Sequence, residues 1–203
     1  MTGIPSPFST DEADDETFDE YDEYVPESLP EPGSFLDGHD VLADDAHLEF
    51  HELTRDLFEE RGVYDMTFGY NLARLNLDRR HPGAGYRYAV EQSALGSDSN
   101  GADSTVLRAE FTPTTEFCPQ SDTLARGSFR AWNGLSERHD YDLVRVRVDG
   151  MHHNSEEINE DMRDLEATYL ETDSVGEAAD SPTRQPSGGS TGDEPSSGPT
   201  SPF

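Results

Sequence analysis

The chain has 203 residues with 44 acidic against 14 basic side chains, a formal net charge of −30; every basic residue is arginine and one cysteine is present. That balance argues against general nucleic-acid binding, since backbone phosphates need cationic partners, and the single thiol excludes an internal disulfide. A lysine-free acidic surface suits concentrated salt, where screening quenches charge repulsion over short distances, so a halophilic cytoplasm is the expected setting.

Residues 1–45 carry many Asp and Glu and no Lys or Arg, densest in D-E-A-D-D-E-T-F-D-E-Y-D-E-Y. Such a segment lacks the apolar area to offset its ordering entropy and is expected to be a disordered arm. Its Phe18, Tyr21, Tyr24 and Phe35 are candidates to dock on a partner. No secretory signal is visible at the amino end. No run approaches the ~20 apolar residues of a membrane span either, so a cytoplasmic protein without membrane contact is expected.

Residues 46–172 form the expected domain. H-L-E-F-H-E-L-T-R-D-L-F-E-E-R-G places Phe50, Leu53 and Leu57 at helical spacing, with Gly62 as the stop. Residues 64–77 fit two patterns: Phe68, Leu72 and Leu75 fit a helix, while Met66, Phe68, Tyr70 and Leu72 alternate as in a strand. Helix is favoured. G-Y-R-Y-A-V-E-Q-S-A-L and S-T-V-L-R-A-E-F, joined by G-S-D-S-N-G-A-D, read as an antiparallel hairpin with Leu107, Ala109 and Phe111 on one face.

After Cys118, Pro119 suits the first position of a helix, because the amide it lacks would be unpaired there. Ala125, Phe129 and Trp132 continue that helix. D-L-V-R-V-R-V-D is a third strand with Val144, Val146 and Val148 inward and Arg145 and Arg147 outward. A last helix opens at Asn154 or Ser155 and buries Ile158, Met162, Leu165 and Tyr169. Residues 173–203 read as a Gly/Ser/Pro-rich disordered tail. The fold class expected is α+β, a two-layer α/β arrangement of order α-α-β-β-α-β-α with a small mixed sheet of about three strands.

F-T-P-T-T-E-F-C-P, residues 111 to 119, carries the only thiol. Following a strand and preceding a helix, Cys118 is expected near the helix cap, where unpaired amides carry roughly half a positive charge and favour a thiolate. Glu116 opposes that. His152 and His153, in the M-H-H-N loop before the last helix, are the residues that could join Cys118, since a Cys with a His is the minimal pair for nucleophilic catalysis or for two metal ligands. A buried, inert thiol and solvated loop histidines are the alternative.

These motifs resemble a small-domain family linked to iron–sulfur cluster assembly: the MIP-eighteen family of cytosolic targeting components, with SufT-type and PaaD-type relatives. The similarity rests on F-T-P-T-T-E-F-C-P, on D-R-R-H-P (78–82), A-V-E-Q (89–92), S-T-V (104–106) and G-M-H-H-N-S-E-E-I-N, in the family's order from about Asp78 to Met162. The proline after Asp78 is missing, and His153 stands where a small residue is expected. The resemblance implies a non-enzymatic assembly or targeting adaptor, with Cys118 as the functional thiol contacting a partner or a transient cluster. Thr112, Pro113, Thr114 and Pro119 would shape the site loop, with Asp78, His152 and Asn159 in support.

It further implies no stably bound cofactor, at most a transient iron–sulfur cluster, and other assembly proteins and client apoproteins as partners, a homodimer being open. Two other readings stand beside it. One is an interaction module of the same fold without cluster chemistry; the other is a thiol enzyme with Cys118 as nucleophile and His152 or His153 as base.

Overall fold

Strand alternation sorts the side chains of the central sheet onto two faces. The computed structural model describes residues 17–91 and 105–176. Strand β1 spans Asp40–Val41, helix α1 Asp44–Arg61, β2 Tyr64–Asp65, β3 Tyr70–Asn71, β4 Gly85–Val90, β5 Val106–Thr112, helix α2 Ser121–Asn133, β6 Leu143–Val148 and helix α3 Ser155–Thr172. The main sheet runs β1-β4-β5-β6, and β2 pairs with β3 in a second sheet. β4 and β5 are antiparallel, with Tyr86 opposite Phe111, and β5 and β6 are parallel, with Ala109 opposite Val146. The fold is thus α+β on a mixed sheet of four strands, one more than expected. The additional strand, β1, pairs with the end of β4.

Tyr86, Tyr88, Leu107, Ala109, Phe111, Val144 and Val146 form the buried inner face, under Phe50, Leu57 and Phe58 of α1 and Phe129 and Trp132 of α2. Polar side chains in this core pair across elements. Trp132 Nε1 donates to Thr54 Oγ1 at 3.1 Å, and the Tyr86 hydroxyl donates to Ser128 at 2.7 Å. The exposed edge of β6 is covered by side chains. Asn133 pairs with both backbone groups of Val144, Arg147 donates to the Val146 carbonyl, and Asn159 pairs with both backbone groups of Val148. Such caps deny the edge to another strand.

Three expectations are corrected. Residues 64–77 are not an α-helix but the β2–β3 hairpin followed by a 3-10 helix, Leu72–Leu77. The Asp65 carboxylate accepts from the amides of Thr67 and Phe68 at 2.7 and 3.1 Å, and Gly69 takes a positive φ of 73°. This turn chemistry overrides the helical spacing of the apolar residues. Asn71 then caps the 3-10 helix through Ala73 N–H.

Second, α2 opens at Ser121, so Pro119 lies in a turn ahead of the helix and not at its first position. Successive turns closed by Cys118 N–H to Thr115 and Ser121 N–H to Cys118 use up those residues.

Third, residues 17–43 are not a detached acidic arm. Leu29 and Leu36 are buried, the backbone of Asp19 bonds to Leu77, and Leu42 N–H bonds to Tyr88. The segment is a strap laid over the domain. The rest of the arm, the 92–104 connection with its turn, and the tail from 177 lie outside the described residues. No helix among the described residues is long and apolar enough to cross a membrane.

Candidate functional site

β5 ends at Thr112, opposite Gly85, and Pro113, which has no amide to extend the ladder, turns the chain off the sheet. The loop from Pro113 to Gln120 is then clamped by the loop between β6 and α3. His152, buried at 3 % exposure, bonds through Nε2 to the Cys118 carbonyl at 3.0 Å and accepts the Asn154 amide at Nδ1 at 3.2 Å. That pair of bonds requires the neutral tautomer with its proton on Nε2. His153 grips the neighbouring carbonyl, Glu116, with its backbone N–H at 3.0 Å and with Nδ1 at 2.7 Å. Both histidines therefore hold the backbone of the thiol loop.

Cys118 is a free, partly exposed thiol opening on a cleft of about 280 Å³ shared with Pro119, His152, His153, Glu157 and Ile158. Asp122 and Asp161 flank the cleft and are bridged by Arg126 at 2.7 and 2.5 Å. Among the described residues neither imidazole bonds to the sulfur; the Nε2 proton of His152 goes to a carbonyl instead. Cys118 lies two residues before Gln120, the cap of α2, and so stands off the helix terminus. The helix field fades beyond the first turn. No three His, Cys, Asp or Glu side chains among the described residues are arranged to hold a metal ion.

The loops that meet at this cleft, and the turn tied to them, also carry exposed apolar side chains. Phe117 is 64 % exposed and packs against the His153 ring at 4.9 Å; Met151, beside His152, is 43 % exposed. Met66, at the β2–β3 turn, is 82 % exposed and is tied to the thiol loop by Gln120, whose carboxamide accepts from Met66 N–H at 3.0 Å and donates to Thr67 at 2.7 Å. Sequence reasoning missed these exposed side chains. Met66 looks like one more strand or helix residue until the Asp65 turn is seen to throw it outward.

The supporting positions divide. His152 meets Cys118 directly. Asn159 braces Val148 at the end of β6, next to the clamp loop. Thr112, Pro113 and Thr114 form the exit from β5, with Pro113 buried. Asp78 does not join the cleft. Its carboxylate is buried and accepts from Tyr70 at 2.8 Å and from Arg80 Nη2 at 2.6 Å. Burial pushes its pKa up, but Arg80 and Tyr70 outweigh that and hold the carboxyl below the ordinary value.

A family model described as "Domain of unknown function (DUF7998)" matches residues 16–176, and so takes in the strap as well as the thiol loop. No curated protein and no solved structure matches the chain.

Proposed function

The chain belongs to the DUF7998 family, and from that premise we propose that it is a non-enzymatic iron–sulfur assembly or targeting adaptor that meets its partners around Cys118. One observation carries the reading: a partly exposed thiol opens on a cleft, its loop is clamped by His152 and His153, and Phe117 and Met151 stand exposed on those same two loops. Exposed large apolar side chains on neighbouring loops are a mark of interaction surfaces. A thiol next to Phe117 in the chain is placed to touch whatever docks there.

Ordered likeness to the iron–sulfur assembly family supports naming the cargo, a cluster passed between partners rather than kept. A lone thiolate is too small a ligand set to retain a cluster, which suits transient contact. The acidic, lysine-free composition supports a salt-rich cytoplasm as the setting. A Cys/His enzyme is less well supported, because the lone pair of His152 takes the Asn154 amide and both histidines bond to carbonyls of the thiol loop rather than to the sulfur.

The second reading, a docking module without cluster chemistry, draws on the same exposed side chains. Anaerobic purification from native cells separates the two. The adaptor reading expects iron–sulfur assembly proteins or client apoproteins to co-purify with the wild type. They should be lost with Met66→Ser/Phe117→Ser/Met151→Ser and weakened with Cys118→Ser. Partners unrelated to iron–sulfur proteins, retained by Cys118→Ser, would establish the docking module instead.

A further inference from the structure

The four aromatic side chains of residues 17–37 each meet an arginine. Phe18 lies 3.8 Å from the Arg74 guanidinium and 5.4 Å from that of Arg80. Tyr21 lies 4.7 Å from Arg55, and Phe35 lies 4.7 and 5.4 Å from Arg108 and Arg147. The Tyr24 hydroxyl accepts from Arg87 at 3.3 Å. Acidic and backbone groups are recognised as well. Asp19 pairs with Arg79 at 2.5 Å, and Glu110 takes the amides of Gly33 and Phe35 at 2.6 and 3.2 Å. Arg108 donates to the Phe35 carbonyl at 2.8 Å.

This is how a domain binds a peptide, with side-chain pockets supplemented by main-chain bonds. Against that, the strap puts few large apolar side chains wholly out of water, notably Leu29 and Leu36.

Its own strap leaves the face incompletely satisfied. Arg87 is only 8 % exposed, and among the described residues its single hydrogen bond is the long one to Tyr24, with Nε unpartnered. Glu110 stands directly opposite on β5 but is taken up by the strap amides. A buried guanidinium without a carboxylate is costly. A segment offering an acid where Tyr24 stands would pair it. Carboxylates of Glu91, Glu110 and Glu166 interleave with the arginines of this sheet face, which disfavours a continuous phosphate backbone and favours a peptide.

We propose that the arginine-lined track beneath residues 17–37, which runs from α1 and the 3-10 helix onto the outer face of β4, β5 and β6, is a docking site for an acidic, aromatic-bearing segment of another protein, with the chain's own strap as the occupant that such a segment displaces. The face is separate from the Cys118 cleft and does not depend on the function assigned there. Because cis occupancy lowers the open fraction, loosening the strap raises the apparent affinity for a competitor in the same proportion.

The test uses the full chain carrying Phe18→Ala and Phe35→Ala, its fold checked by Trp132 fluorescence, and a labelled peptide of residues 17–38. The peptide is expected to bind this variant about tenfold or more tightly than the unmodified chain. A peptide with its aromatics changed to Ala, or its acids changed to amides, should lose binding. A peptide carrying Tyr24→Glu should bind tighter than the native one. Should the double variant not fold, the same rank order is expected against the unmodified chain. No binding in either protein, equal binding of all four peptides, or equal displacement of native and aromatic-free peptides by heparin overturns the proposal, the last by showing a general polyanion patch.

Discussion

His152 bonds to the backbone carbonyl of Cys118 at 3.0 Å and not to its sulfur, so the conspicuous Cys/His pair is a mechanical link between two loops. Its second nitrogen takes the Asn154 amide at 3.2 Å. Replacing His152 by Ala strips both partners inside a buried site, and about 1–3 kcal/mol of stability is expected to be lost. Alkylation of Cys118 should also speed up as its loop loosens. Thermal melting and iodoacetamide labelling read the two effects; an unchanged labelling rate would mean that the clamp does not restrain the thiol.

Acid sensitivity should arise at α1. Burial drives His47 down to about 3, helped by His51 and Arg87, and drives His51 down to about 4 against the opposing bond to Ala73. Both values lie below the ordinary 6.5, so the unfolded chain binds these protons first. Stability is full above pH 6.5 and falls as pH drops towards 4, by about 2 kcal/mol per histidine between pH 7 and 5. Urea unfolding at the two pH values measures it. A His47→Leu chain should show roughly half the dependence.

A side chain at Gly33 would displace the Glu110 carboxylate from the strap amides it holds. A Cβ there would come within 2.6 and 2.8 Å of the Glu110 carboxylate oxygens and collide with Asp149. Gly33→Ala is expected to cost about 1–3 kcal/mol and to raise hydrogen exchange at the Phe35 amide, which Glu110 otherwise holds.

Asn159 earns its place at the β6 edge by matching both backbone groups of Val148. Asn159→Ala leaves an N–H and a C=O without partners, and a loss of about 1–3 kcal/mol is expected. Light scattering should also show concentration-dependent association as the strand edge opens. A variant with unchanged melting and no association would remove Asn159 from the edge-protecting set.

Much of the sheet was legible because alternation has a physical signature: Val144, Val146 and Val148 inward and Arg145 and Arg147 outward follow from strand geometry alone. Legible too were the buried face of α3 and the junction holding Cys118. The failures have two causes: local turn chemistry overrode apolar spacing in residues 64–77, and distant partners overrode composition in the strap. Asp65 and Gly69 made a turn where apolar spacing suggested a helix.

The strap reads as disorder because its composition cannot form a core by itself. It is held by distant arginines, such as Arg108 and Arg147 on Phe35, 73 and 112 positions away in sequence, and no local window contains them. The exposure of Met66, Phe117 and Met151 was likewise invisible, since it depends on how their loops are held. The resemblance did point to His152 and Asn159, but their tasks, bonding to Cys118 and Val148, appear only in three dimensions.

The most direct measurement of the role proposed for Cys118 is the activity of iron–sulfur enzymes in cells whose only copy of this protein carries Cys118→Ala, normalised to the amount of each enzyme present. A fall in activity per enzyme, with the variant protein at normal abundance and restored by the wild-type chain, is the expected result. Unchanged client activity at normal abundance would contradict a cluster-handling role for the thiol.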